Sequence, residues 1–177
     1  MIYRFRIILD TEEDIFRDIE IEQSASFEDL HNSITQSFGF DGTEMASFYV
    51  SDDEWTQGEE IALFDMSDAE VPLRTMQDTS LEQMLNQDQT RMIYVYDFFN
   101  LWTFFVELAE ITEPDESVSY PNLMYVFGQI PAQAPETDFS GEESDQDADD
   151  FDDDDDPFDD DYDIEDYEGL DFDENWN

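Results

Sequence analysis

Three residue types that carry much of protein chemistry are absent or nearly absent from this chain. Its 177 residues contain no cysteine, no lysine and a single histidine, His31. Without cysteine there is no disulfide and no thiolate for zinc, and without lysine there is no Schiff-base chemistry. One histidine also excludes a metal site built on two imidazoles. We therefore expect no catalytic residues, no metal and no cofactor, and so a protein that is not an enzyme.

Positive charge is almost as scarce. Five arginines face 51 aspartates and glutamates, which gives a formal net charge of -46. A surface that binds nucleic acid must neutralise phosphates with basic side chains, and a surface that binds anionic lipid needs the same. The charge balance therefore argues against direct binding to DNA, RNA or membranes. It favours long-range attraction to a positively charged partner.

Long apolar runs are also missing. The apolar residues at the start of the chain form too short a run for a signal peptide, and the most apolar stretch elsewhere spans only residues 101–106. Crossing a bilayer as a helix takes about 20 apolar residues. We therefore expect the protein in the cytoplasm.

The acidic residues are distributed unevenly along the chain. Residues 136–177 contain 23 acids and no basic residue, whereas residues 1–135 contain 28 acids and all five arginines. The first segment is also rich in large apolar residues, enough for one core. In the second, repulsion between like charges and the small apolar surface cannot offset the entropy lost on ordering. We expect an α+β domain over 1–135 and a disordered acidic tail over 136–177.

The aspartates of the tail raise the question of calcium. Residues 145–156 place aspartates at the ligand spacing of an EF-hand loop. However, Asp150 stands where the loop needs glycine, and Asp156 stands where it needs a bidentate glutamate. We expect no structured metal site there.

The pattern of apolar residues predicts the secondary structure. Alternation over 3–9 and 15–21, joined by a short polar link, predicts a β-hairpin. A helix over 27–38 is predicted because Ser26 and Asp29 form a capping box and Gly39 suits a left-handed C-terminal cap. The remaining predictions are strands over 45–50, 60–64, 91–96, 101–111 and 123–127, and a helical turn over 81–85. This order predicts an α+β fold, a β-grasp-like mixed sheet packed on one main helix with extra C-terminal strands.

One segment carries a family resemblance. Tyr96-Asp97-Phe98-Phe99-Asn100-Leu101-Trp102 resembles the Tyr-Asp-Phe-Gly-Asp-x-Trp signature of the Ri-plasmid open-reading-frame-three-like family, sometimes labelled insertion-element passenger proteins. Ile15-Phe16-Arg17 is similar to the family's Ile-Trp-Arg, and Leu30-His31 to its Leu-His. The resemblance covers residues 1–135. It implies a bacterial, cytoplasmic setting and a fold, and it names no activity.

The motif departs from the family at two positions. Phe99 stands where the family has glycine, and Asn100 where it has aspartate. A glycine there implies a turn with positive φ, in which phenylalanine is costly. The change to asparagine removes a charge but keeps a hydrogen-bond acceptor.

The resemblance singles out five residues as a candidate recognition or structural motif. They are Arg17, His31, Asp97, Asn100 and Trp102. One interpretation is that they lock the hairpin, helix and central strand together. The other is that they form a shallow recognition site at the start of the long strand.

Aromatic residues in the tail suggest how it works. Five of them recur every four or five residues, namely Phe158, Tyr162, Tyr167, Phe172 and Trp176. Such residues can anchor in a partner's pockets while carboxylates meet its basic rim. We therefore expect a monomeric binding or adaptor protein whose tail engages a basic protein, possibly one that binds nucleic acid. A nucleic-acid mimic that fills the basic groove of such a protein is the alternative, and a tail that only solubilises the chain remains open.

Overall fold

One mixed sheet organises the described part of the chain, which in this computed structural model is residues 1–136. The elements in chain order are β1 (Ile2–Leu9), β2 (Phe16–Glu22), α1 (Phe27–Phe38), β3 (Ala46–Ser51), β4 (Gln57–Ala62), β5 (Arg74–Thr75), α2 (Leu81–Met84), β6 (Arg91–Tyr96), β7 (Trp102–Thr112) and β8 (Asn122–Phe127). The predicted α+β class is therefore confirmed. The predicted acidic tail and its five aromatic anchors, Phe158, Tyr162, Tyr167, Phe172 and Trp176, lie outside the described residues.

The sheet has eight strands in the order β5-β4-β3-β6-β7-β1-β2-β8. Each neighbouring pair is antiparallel except β4 and β5, which are parallel. The predicted hairpin is confirmed, since β1 pairs with β2 from Ile8 opposite Phe16. The two strands that follow β6 take separate places. β7 lies in the middle of the sheet between β6 and β1, and β8 lies at the edge beside β2.

Helix α1 begins and ends where its capping residues predict. The Asp29 amide donates to Ser26 Oγ at 3.1 Å, and the Ser26 amide donates to Asp29 Oδ2 at 2.9 Å. Gly39 follows the helix with a φ of 81°, the left-handed conformation that glycine adopts at little cost. The reciprocal hydrogen bonds satisfy amides that would otherwise be unpaired at the helix start.

The core lies between α1 and one face of the sheet. Phe27 on α1 packs against Phe48 on β3 with ring centroids 5.3 Å apart, and Phe38 packs against Phe104 on β7 at 4.7 Å. Tyr94 on β6 joins the same cluster and is fully buried. Alternation along β1 sends Phe5 and its apolar neighbours into this core and leaves Arg4 and Arg6 on the other face. We call that second face the open face.

Among residues 1–136, neither helix is both long and apolar enough to span a bilayer.

Candidate recognition surface

Arg17 of the family motif is a buried structural residue. Its side chain donates from Nε to the Ser37 carbonyl at 3.1 Å and from Nη1 to the Phe127 carbonyl at 2.9 Å. The guanidinium also lies 4.6 Å from the centre of the Phe38 ring. Burial lowers the pKa of Arg17 from its usual value, and the carbonyl oxygens compensate for the lost water. Arg17 therefore ties the end of α1 to β2 and to the end of β8.

His31 is buried on the core side of α1. Its Nδ1 lies 2.7 Å from the Tyr94 hydroxyl oxygen, and its side chain is 2% exposed. Burial lowers the pKa of His31 to about 4, because the charged imidazolium loses hydration there. A neutral imidazole that accepts from the Tyr94 hydroxyl suits this geometry. The contact joins α1 to the central strand β6.

Asp97 and Asn100 shape the turn between β6 and β7. The Asp97 carboxylate accepts from the Phe99 amide at 3.1 Å and from Asn100 Nδ2 at 2.6 Å. Within this turn, the residues with positive φ are Asp97 at 60° and Leu101 at 55°. The expectation that position 99 needs positive φ is wrong, because the turn places its left-handed residues on either side of Phe99. The Asn100 amide group is a donor to Asp97, a bond that an ionised aspartate cannot make.

The same turn presents apolar side chains to solvent. Phe99 is 92% exposed and Phe98 is 44% exposed. Beside them, a shallow cleft is lined by Phe99, Asn100 and Trp102 together with residues 132–134. The motif therefore has an exposed part, although its polar residues Asp97 and Asn100 bond to each other inside the turn.

Trp102 begins β7 and is 8% exposed. Its ring packs edge-on against Phe40 at 5.1 Å, and Phe40 stacks on Tyr96 at 4.6 Å. The Tyr96 hydroxyl in turn donates to Asp41 Oδ1 at 3.0 Å. These contacts hold the loop after α1 against the start of β7.

The five motif residues do not form one pocket. Only Asp97 and Asn100 share a hydrogen bond, while Arg17, His31 and Trp102 make separate contacts along α1 and the sheet. The Asp97–Asn100 bond lies within one turn, and the other contacts join α1 or the loop after it to the sheet. The arrangement fits a set of packing locks better than a single ligand site.

The open face carries a row of apolar side chains across the sheet. Strand register places Tyr49, Ile93, Phe105, Ile8, Phe16 and Phe127 side by side, from β3 to β8. Trp55, in the loop between β3 and β4, lies over this row, 4.8 Å from Phe105. The sequence analysis missed this row, because its residues belong to six strands whose order was unknown.

A charged row runs beside the apolar row. Arg6 pairs with Asp18 through two hydrogen bonds of 2.8 Å, and its guanidinium lies 4.4 Å from the centre of the Phe16 ring. Arg4 donates to Glu20 at 2.8 Å and also to Glu110. Arg4 and Arg6 are therefore both paired with carboxylates.

Among residues 1–136, strand β8 carries the longest run of exposed large apolar side chains. Five consecutive residues, from Leu123 to Phe127, are between 45% and 51% exposed. Phe127 stacks on Phe16 at 5.3 Å, so β8 extends the apolar row to the edge of the sheet. We call this strand, with the rings beside it, the β8 edge. The sequence predicted this strand but not its exposure, because a run of apolar residues is equally typical of a buried strand.

Comparison with known proteins assigns the chain to a family. A family model described as plasmid pRiA4b ORF-3-like protein matches residues 1–176, so the chain belongs to that family and the resemblance is confirmed. The match extends past residues 1–135, the span that the motifs indicated. A crystal structure of a protein of unknown function from Methanosarcina mazei Go1 is similar at a TM-score of 0.62 and 21% identity, over 71% of this chain and 68% of that chain. At that identity the likeness shows the fold alone. No curated protein matches the chain.

Proposed function

We propose that this member of the plasmid pRiA4b ORF-3-like family is a non-enzymatic binding or adaptor protein. Its acidic segment, residues 136–177, engages a basic protein partner. The domain that precedes this segment in the chain supplies a further contact surface at the β8 edge. On this proposal the partner, and no bound small molecule, defines the activity.

The observation that carries the proposal is the charge distribution. Residues 136–177 place 23 carboxylates and seven aromatic rings in a segment without a single basic residue. A dense field of one sign raises the rate at which an oppositely charged partner associates. Aromatic side chains then supply most of the binding free energy of the complex, since buried aromatic anchors dominate interface energetics. A segment that only solubilises the chain has no need of phenylalanine, tyrosine or tryptophan.

The arrangement of the domain supports a scaffold role. The motif residues are used in locks between helix, turns and sheet, as with Arg17 donating to three backbone segments. His31 is buried with a lowered pKa and lies within the core. Apolar surface is also exposed along β8, at a sheet edge where one chain can pair with another.

We also propose that the sheet has a β-grasp-like architecture with extra C-terminal strands. The order hairpin, α1, β3, β4, α2 and β6 is the one that suggests such a domain. Because β1 and β6 are both antiparallel to β7, they run parallel to each other on either side of it. In this view β7 and β8 are additions to a smaller sheet. The setting that we propose is the bacterial cytoplasm.

A nucleic-acid mimic is the alternative, and one feature favours it. Residues 152–156 are five consecutive aspartates. In an extended chain such residues are spaced by about 3.3–3.6 Å, close to the ~3.4 Å between charges along one strand of B-DNA. A basic groove that binds DNA would therefore meet a similar number of charges per unit length.

Affinity capture tests the proposal. The full-length chain and a variant whose acids in residues 136–177 are replaced by asparagine and glutamine are immobilised and exposed to cell extract at low and high salt. We expect the wild type to retain a basic protein at low salt and the variant to lose it. Equal retention by the two chains would contradict the proposal. Displacement of the chain by duplex DNA would favour the mimic, and indifference to DNA the adaptor.

A further inference from the structure

The outer edge of β8 is open. Within residues 1–136, β8 pairs with β2 on one side and has no strand on the other. A strand in that position presents a row of backbone N–H and C=O groups that can pair with another chain. Tyr125, Val126 and Phe127 stand in regular register with β2, beyond a register shift between Asp18 and Ile19. The backbone of residues 125–127 can therefore pair with a further strand in regular register.

The β8 edge lacks the features that usually prevent a sheet edge from pairing with another chain. Exposed edges are commonly protected by charged residues, prolines or very short strands. Residues 123–127 read Leu-Met-Tyr-Val-Phe, without a charge or a proline, and each is about half exposed. Leaving that much apolar surface in water is unfavourable. The sequence of β8 therefore suits a strand that is covered part of the time.

A strand added beside β8 would contact side chains of the domain on both of its faces. On the open face, Phe16 packs against Tyr125 at 5.8 Å and against Phe127 at 5.3 Å. On the helix side, Leu123 lies at a groove that α1 lines with Ser33, Gln36 and Ser37. Side chains of an added strand alternate between the two faces. One set would extend the aromatic row, and the other would lie along the groove beside α1.

The negative charge of the domain favours a basic segment as the strand that pairs with β8. Residues 1–136 contain 29 acids and five arginines. A second copy of the chain would bring like charge to the edge, whereas a basic segment would meet opposite charge. We propose that β8 accepts an extended segment of the basic partner as a ninth strand, with apolar side chains alternating with lysine or arginine. This inference rests on the proposed function, which supplies the basic partner, and adds the mode of binding.

The test uses the full-length chain and a short synthetic peptide of alternating valine and lysine. Amide hydrogen exchange and NMR shifts report which strand binds it. We expect new protection of the β8 amides and none for a peptide of the same sequence with N-methylated amides, because methylation removes the donors. This comparison of two peptides needs no substitution in the protein, so it is valid whether or not a variant folds.

A matched pair of variants separates strand pairing from charge. Val126→Lys places a cation on the β8 edge, where Val126 is 51% exposed. Val71→Lys makes the same change of charge at a valine that is 78% exposed and lies before β5. We expect Val126→Lys to weaken peptide binding about tenfold or more, and Val71→Lys to change it less than about twofold.

Four results would overturn the inference. Equal weakening by the two variants, or equal binding of the N-methylated peptide, would mean attraction by charge alone. Absence of peptide binding at low salt would exclude β8 as a docking strand. Self-association of the wild type that Val126→Lys abolishes would assign the edge to a second copy. In each case the capture of a basic protein through residues 136–177 is unaffected, so failure here differs from failure of the proposed function.

Discussion

Single residues in this protein show how burial decides whether a titratable or aromatic group is available for chemistry. His31 illustrates this, because its only strong polar contact within the described chain is the Tyr94 hydroxyl at 2.7 Å. The sequence predicted the helix that carries His31. It could not predict Tyr94 as the partner, because that contact depends on β6 lying beneath the helix.

Protonation of His31 should destabilise the fold as the pH falls. The pKa in the folded state is lowered to about 4, against 6.5 for an unperturbed histidine. A group with a lowered folded pKa binds its proton preferentially in the unfolded chain below pH 6.5, so stability is lost from there down to pH 4. Relative to His31→Asn, the wild type should lose about 2 kcal/mol of unfolding free energy between pH 7 and pH 5.

Denaturant unfolding at a series of pH values measures this difference. Tyr94→Phe is the control, because it removes the hydrogen bond and leaves a buried imidazole that still titrates. Parallel pH profiles for wild type and His31→Asn would show that His31 is not buried as described.

Trp102 should be a stabilising core residue and not a ligand-binding one. It is 8% exposed and packs against Phe40, so Trp102→Ala should cost about 3–5 kcal/mol. Trp55, half-buried on the open face against Phe105, is the matched control and should cost less. Thermal or denaturant unfolding compares the two, and a loss below about 1 kcal/mol for Trp102→Ala would contradict its burial.

At the scale of elements, the sequence predicted the features that depend on residues close together in the chain. The α1 boundaries follow from Ser26, Asp29 and Gly39, and the β1–β2 hairpin follows from alternation across a short link. The place of β7 between β6 and β1 was not predictable in this way. Pairing of strands distant in the chain is set by packing over the whole sheet, and alternation specifies a face without naming the neighbour.

The stability of the fold should depend on Gly128, which follows β8. Gly128 has a φ of 76°, and a Cβ there would lie 2.7 Å from the Asp14 carbonyl oxygen. Gly39 has a φ of 81° with open space around it. We expect Gly39→Ala to cost about 1 kcal/mol from backbone conformation alone, and Gly128→Ala clearly more, because it adds the clash. Equal unfolding free energies of the two variants would contradict the close approach of β8 to the β1–β2 link.

On the scale of the whole molecule, the chain combines a domain with a segment of very different composition. The sequence predicts a boundary near residues 131–136, where prolines precede the acidic run. Limited proteolysis should therefore leave a stable core that ends there and melts as the full chain does. Hydrogen-exchange protection across residues 145–170 in the free protein would contradict this boundary.

The binding role proposed for residues 136–177 is the central claim, and calorimetric titration tests it most directly. The basic protein captured by the wild type is titrated with the full-length chain and with a variant whose seven aromatics in residues 136–177 are serine, at two salt concentrations. If the aromatics are anchors, the serine variant should bind about a hundredfold more weakly or worse at both salts, a loss of about 3 kcal/mol. Added salt should mainly slow association of the wild type. Equal affinities of the two chains at both salts would contradict anchoring and leave these residues a purely electrostatic role.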